Sequence, residues 1–148
     1  MIGFILGCAA GIGVLMGVPD AEPTPKVQAE QITMEEFDLM AACVMAESGG
    51  EDFETQYWVA ETILNRRKSP LFPDTIKEVI FEPRQFAVVD EGTIWTVTPT
   101  DSVYEAVQSA LEEDNVPKEI LYFTSEGYLK GTVPYRKVGN MYFSVQKE

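Results

Sequence analysis

The segment Thr33-Met34-Glu35-Glu36 fixes where this chain starts to fold. A hydroxyl followed three residues later by a carboxylate is a capping box, whose two side chains satisfy the first free amides of a helix. Phe37, Met40, Ala41, Val44 and Met45 then recur on one helical face. Gly49-Gly50 is expected to end that helix, because glycine adopts the left-handed conformation of a helix terminus at little cost. A second helix is predicted over about residues 52–68. Tyr57, Ala60, Ile63 and Leu64 face inward, and Arg66, Arg67 and Lys68 sit where the helix dipole favours cations. Ser69-Pro70 closes it.

Further along, Asp74 is expected to cap a short helix carrying Ile76, Val79 and Ile80, which Pro83 ends. Residues 85–89 read as an irregular or strand segment. Thr98, Pro99 and Asp101 open another helix, in which Val103, Ala106, Val107, Ala110 and Leu111 keep the helical period. Two aromatic, β-branched stretches, residues 120–124 and 141–145, read as a two-stranded antiparallel unit joined by a Gly-containing connection. The expected class is α+β, mostly helical with a small antiparallel sheet.

Ahead of the capping box, residues 2–18 form an uninterrupted uncharged run rich in Gly and Ala. Residues 1–18 read as a signal peptide or a membrane anchor, and residues 19–32, with Pro23 and Pro25, as a tether. Ile5-Leu6-Gly7-Cys8 resembles a lipoprotein processing box close to the start of the chain, and a buried core helix is a further reading of the run. Residues 33–148 remain as one globular domain. The protein is therefore expected to be exported, secreted or held in the cell envelope, with membrane anchoring through residues 2–18 as one option.

Charge and residue usage exclude several function classes. The 24 acidic residues outnumber the 11 basic ones, and no charged side chain precedes Asp20, so the body carries the whole net charge of -13. Nucleic acid phosphates would repel such a body, so no nucleic acid partner is expected. An anionic wall polymer would also repel it at long range, and binding to one must come from short-range contacts. Histidine is absent, and the only cysteines are Cys8 and Cys43. That removes Ser-His and Cys-His nucleophile pairs and His-ligated zinc. Carboxylate acid/base chemistry survives. Cys43 lies inside an apolar helical pattern and reads as a small buried hydrophobe.

Met45-Ala46-Glu47-Ser48-Gly49-Gly50-Glu51 places a carboxylate at the C-terminal end of an apolar helix. The negative end of the helix dipole and partial burial both disfavour ionised Glu47, which raises its pKa toward the range of a general acid. The competing reading is that Glu47 is one solvated acid among the 24.

This same segment is similar to the acidic motif of the SleB-like, spore cortex-lytic cell wall hydrolases. More of the chain follows in order. Val59-Ala60-Glu61-Thr62-Ile63-Leu64-Asn65-Arg66-Arg67 resembles that family's second helix, and Ser69-Pro70-Leu71-Phe72-Pro73-Asp74-Thr75-Ile76 its following turn. Glu82-Pro83-Arg84-Gln85-Phe86 resembles its Gln-Phe element. Leu121-Tyr122-Phe123 and Gly139-Asn140-Met141-Tyr142-Phe143 resemble its two C-terminal strand motifs. Met141 stands where many members carry His.

The resemblance implies a lysozyme-like fold with a groove for peptidoglycan glycan strands and Glu47 as the catalytic acid. It implies a lytic transglycosylase, in which Glu47 protonates the glycosidic oxygen and then takes the proton of the muramic acid C6 hydroxyl. No cofactor and no metal enter such a scheme. Glu51 is read as a cap or a substrate hydrogen-bonder, and Gln85, Phe86, Tyr122 and Phe123 as candidates to line a sugar groove. Core packing is the alternative for Phe86 and Phe123, and Asn65 and Arg66 read as structural. A monomer is expected. The rival functions are a non-catalytic glycan-binding relative and a phage-encoded lysis protein.

Overall fold

The computed structural model describes residues 31–148, so the signal or anchor run and nearly all of the tether lie outside the described residues. Helix α1, Met34–Ser48, opens with the capping box: Thr33 Oγ1 accepts from Glu36 N at 3.1 Å, and Thr33 N donates to Glu36 Oε2 at 3.1 Å. Ile32 packs against the core together with Phe37, so the folded body reaches one residue into the segment read as tether.

The end of α1 differs from expectation in its cause. Gly49 is right-handed, with φ -61 and ψ -24, and Gly50 does not take a positive φ either. Gly49 answers to close approach: a Cβ there would lie 2.5 Å from the Met45 carbonyl oxygen and 2.7 Å from its sulfur. Lack of room, and not handedness, demands the glycine.

Helix α2, Phe53–Lys68, is capped by Asp52, whose Oδ1 accepts from Thr55 N at 2.9 Å. It is buried without a break from Thr55 to Arg66, because α1, the helices over residues 76–81 and 101–112 and the sheet enclose it. The apolar positions read from sequence are inward, and so are Gln56, Glu61, Thr62, Asn65 and Arg66. Each of these has a hydrogen-bond partner, as burial in a low-dielectric interior requires.

Helix α3, Ile76–Phe81, is capped by Thr75 in place of the expected Asp74. Thr75 stands three residues before Glu78, and Glu78 N donates to its Oγ1 at 3.2 Å. Residues read as irregular or strand form a single helical turn, α4, Ala87–Asp90, and Gly92, at φ +76, leads into a 3₁₀ turn, Thr93–Trp95. Helix α5, Asp101–Glu112, starts at an N-cap Thr100 and buries the five apolar residues named above.

The sheet has three strands and not two: β1 Ile120–Thr124, β2 Thr132–Val138 and β3 Met141–Gln146, antiparallel in the order β1-β3-β2. The connection between the two expected strands is itself a strand. Its middle is exposed and holds Pro134, Arg136 and Lys137, so it carries no apolar alternation. Phe143 of β3 packs edge-on to Trp58 of α2 at 5.1 Å, which seats the sheet on the central helix. Among the described residues no helix is long and apolar enough to cross a membrane.

Candidate active site

Glu47 lies in the last turn of α1, half-buried, with no basic residue in that turn to offset the helix dipole. Burial pushes its carboxyl up to about 7; the Arg66 guanidinium opposes the rise, and Glu91 adds to it. Nothing in the local sequence marks Glu91 as a neighbour, since the turn after α4 brings it there. Cys43, one turn before Glu47, is fully buried, and its thiol is pushed up by burial.

The turn that follows Glu47 is tied down from three sides. Ser48 Oγ donates to Val44 O at 2.9 Å. Gln56 Nε2 donates to Glu51 O at 3.0 Å, and its Oε1 accepts from Ser102 Oγ of α5 at 2.7 Å. Glu51 uses both carboxylate oxygens on one partner: Oε2 accepts from Asn140 N at 3.1 Å and Oε1 from Asn140 Nδ2 at 3.0 Å. The β2–β3 turn is thereby clamped beside the end of α1, with Gly139 so close that a Cβ would lie 2.4 Å from Thr55 Oγ1.

Arg66 links Glu47 to the aromatic candidates. It is 4% exposed, and its guanidinium carbon lies 4.9 Å from the Phe86 ring centroid, 5.0 Å from Phe72, and 5.9 Å from both Tyr122 and Phe123. Burial lowers its pKa to about 10, which leaves it cationic, and the Glu47 and Glu82 carboxylates oppose that lowering. Among the described residues its Nη1 is buried without a hydrogen-bond partner, and the surrounding ring faces supply cation–π attraction in its place.

The structure thus brings Phe86, Tyr122 and Phe123 together around one cation coupled to Glu47. Phe86, at 2% exposure, sits in the core and presents no face to a ligand, in line with the packing alternative. Phe123 is half-buried between Phe86, at 6.1 Å, and Phe143, at 6.0 Å. Tyr122 is half-buried, and its hydroxyl donates to Gln146 Oε1 at 2.5 Å. Gln85, the chain neighbour of Phe86, is exposed. Met141 is 3% exposed and packs in the core, so an imidazole at this position would be a buried group.

A family model described as Cell Wall Hydrolase matches residues 50–144, from just past Glu47 through most of the sheet. The chain belongs to the cell wall hydrolase family. Among similar family members is a spore cortex-lytic enzyme of Oceanobacillus iheyensis, 43% identical over 105 residues, which are 70% of this chain and 38% of the relative. Another is the spore cortex-lytic enzyme of Bacillus subtilis, 41% identical over 85 residues, 57% of this chain and 28% of the relative. The chain therefore spans well under half the length of these curated relatives. Among solved structures, the catalytic domain of the germination-specific lytic transglycosylase SleB from Bacillus anthracis superposes with a TM-score of 0.68 at 33% identity. That match covers 78% of this chain and 98% of the solved domain. The Bacillus cereus SleB catalytic domain gives the same TM-score at 34% identity, covering 78% of this chain and 93% of that one. The described body therefore has the α+β fold of these cell wall hydrolase catalytic domains.

Proposed function

We propose that this chain cleaves the glycan strands of peptidoglycan as a lytic transglycosylase, with Glu47 as its single acid/base. One observation carries the reading: a half-buried carboxyl in the last turn of α1, pushed up to about 7 by burial and coupled to a buried arginine. Such a group is protonated often enough to give a proton away near neutral pH, and its anion is stabilised once it has done so. Glu47 protonates the bridging oxygen of the MurNAc-GlcNAc bond as the bond from the muramic C1 breaks. The C6 hydroxyl of that muramic acid then bonds to C1, and its proton goes to the Glu47 carboxylate, restoring the acid. The nucleophile is intramolecular, so no second catalytic carboxylate, metal or cofactor is used.

In this reading Tyr122, Phe123 and Gln85 line the groove, and Glu51 supports it from the turn after α1 by holding Asn140 of the hairpin. The protein acts as an exported monomer in the cell envelope, with residues 1–18 as its signal or anchor and residues 19–32 as tether. Similarity to enzymes described as spore cortex-lytic supports peptidoglycan as the substrate class. The test is digestion of purified peptidoglycan with mass spectrometry of the soluble fragments. Anhydromuramic ends, absent with Glu47→Gln, are expected.

One observation favours a second reading. Glu91 lies close enough to Glu47 to raise its pKa, and a second carboxylate could activate water in place of the C6 hydroxyl. That hydrolase would give reducing muramic ends and would lose them in Glu91→Gln.

A further inference from the structure

Residues 127–147 hold four of the 11 basic residues, Lys130, Arg136, Lys137 and Lys147, and none of the 24 acidic ones. In a chain of net charge -13 this is the one long stretch of opposite sign. The fold concentrates it: β2 and β3 pair as an antiparallel hairpin, and Tyr128 to Gly131 and Val133 to Lys137 are exposed. Aromatic rings interleave with the cations. The Lys137 ammonium lies 5.1 Å from the Tyr142 ring centroid, and Tyr128 packs edge-on to the same ring at 5.1 Å. Arg136 is partly occupied, since it lies 5.3 Å from the Trp58 ring and pairs with Glu54 at 3.5 Å.

We propose that the exposed side of the β2–β3 hairpin, centred on Lys137 and Tyr142 and extended by Tyr128 and the exposed Lys130 of the loop leading into β2, is a second contact surface. It binds the carboxylates of the peptide stems carried by peptidoglycan glycan strands. The assignment rests on the proposed glycan-strand activity and adds the anionic part of the polymer to it. Sign and range decide the partner. Salt screens charge over about 8–10 Å, so the net charge of the body governs approach, whereas the nearest few side chains govern contact. At contact this hairpin attracts anions while the remaining surface repels them. Aromatic faces between the cations suit the sugar and peptide bodies to which the carboxylates are attached.

The test uses the full chain carrying Glu47→Gln, so that insoluble wall stays intact, with and without Lys130→Gln/Lys137→Gln. Binding is measured by co-sedimentation with peptidoglycan freed of teichoic acid, with the same wall stripped of stems by an amidase, and with wall retaining its teichoic acid. On teichoic-free wall the lysine pair is expected to shift half-saturation about tenfold. Stem removal should bring both proteins to the same weak binding. The chain with native Glu47 should cut stripped, soluble strands equally well with and without the lysines, and thermal melts should match. Equal binding of both proteins to teichoic-free wall overturns the proposal, as does undiminished binding to stripped wall. A difference seen only with teichoic acid present assigns the surface to phosphate and overturns it too. If the native chain fails to cut stripped strands while the lysines still control binding, the function reading falls and the surface stands.

Discussion

The Nε of Arg66 donates a 2.7 Å hydrogen bond to the carbonyl oxygen of Leu121, and with it α2 closes the free edge of β1. Asn65 does the same one residue earlier, its Nδ2 donating to Ile120 O at 3.1 Å. Among the described residues β1 pairs only with β3, so these carbonyls would otherwise be buried acceptors without donors. The residue that seals the sheet is thus the cation that holds down the pKa of Glu47.

Arg66→Lys should destabilise the fold by about 1–3 kcal/mol, since an ammonium cannot keep the guanidinium's contacts with the surrounding rings together with the edge hydrogen bond. Chemical denaturation measures this. In Arg66→Met the opposing cation is gone, so the pKa of Glu47 rises and the alkaline limb of the pH-rate profile moves upward. Arg66→Lys should leave that limb nearer its place, which separates charge from packing.

Glu47→Gln keeps shape but cannot pass a proton. Its turnover of peptidoglycan should fall about 10²- to 10⁴-fold, with a thermal melt no lower than that of the wild type. The wild-type rate should decline as pH rises through about 7, where the acid ionises. A chelator should leave it unaffected. Near-normal turnover by Glu47→Gln would remove the acid from this position.

Glu51 and Asn140 should behave as one unit. Glu51→Gln retains an acceptor for Asn140 N and should cost far less activity than Glu47→Gln. Glu51→Ala and Asn140→Ala should each loosen the hairpin, and the double variant should be less harmful than their sum by about 0.5–2 kcal/mol. Strict additivity in a double-mutant cycle would show that the pair does not hold the turn.

Glu61 gives the fold its own pH dependence. It is fully buried and accepts from Tyr57 Oη at 2.7 Å; burial pushes it up to about 7, against the lowering effect of that hydrogen bond. The folded-state value lies above the unfolded one, so this contribution is complete below about pH 4.5 and is lost as pH rises through about 7. Stability should therefore drop by about 2–3 kcal/mol between pH 5 and 8, with Glu47 acting in the same direction. Glu61→Gln should flatten this slope in melts taken across that range.

Features that announce themselves locally were legible in the sequence. The Thr33 capping box, the α5 periodicity and the Glu47 position before a glycine need only a few neighbouring residues to be read. Features created by enclosure were not. β2 is an edge strand with an exposed middle, so it lacks the alternation that marks a half-buried strand. Glu91 reaches Glu47 only through packing of a distant segment, and spacing carries no trace of it. Phe86 could be read as groove or core because an aromatic residue suits both, and only its neighbours decide. The Gly49 requirement was found for the wrong reason, since a sequence shows that a glycine is present but not which atom crowds it.

The enclosure of α2 sets how freely this protein can vary. A helix with a solvent face tolerates exchange along that face, but from Thr55 to Arg66 α2 has none. Its polar residues are fixed by what they bond and its apolar ones by what they fill. Random substitution across those positions, selected for folded protein, should return almost the original residues, polar ones included. The same treatment of the outer positions of α5 should return a broad mixture. The least forgiving stretch of this chain is therefore an ordinary-looking amphipathic sequence, and its intolerance would be mistaken for catalytic importance in any screen that scores activity alone.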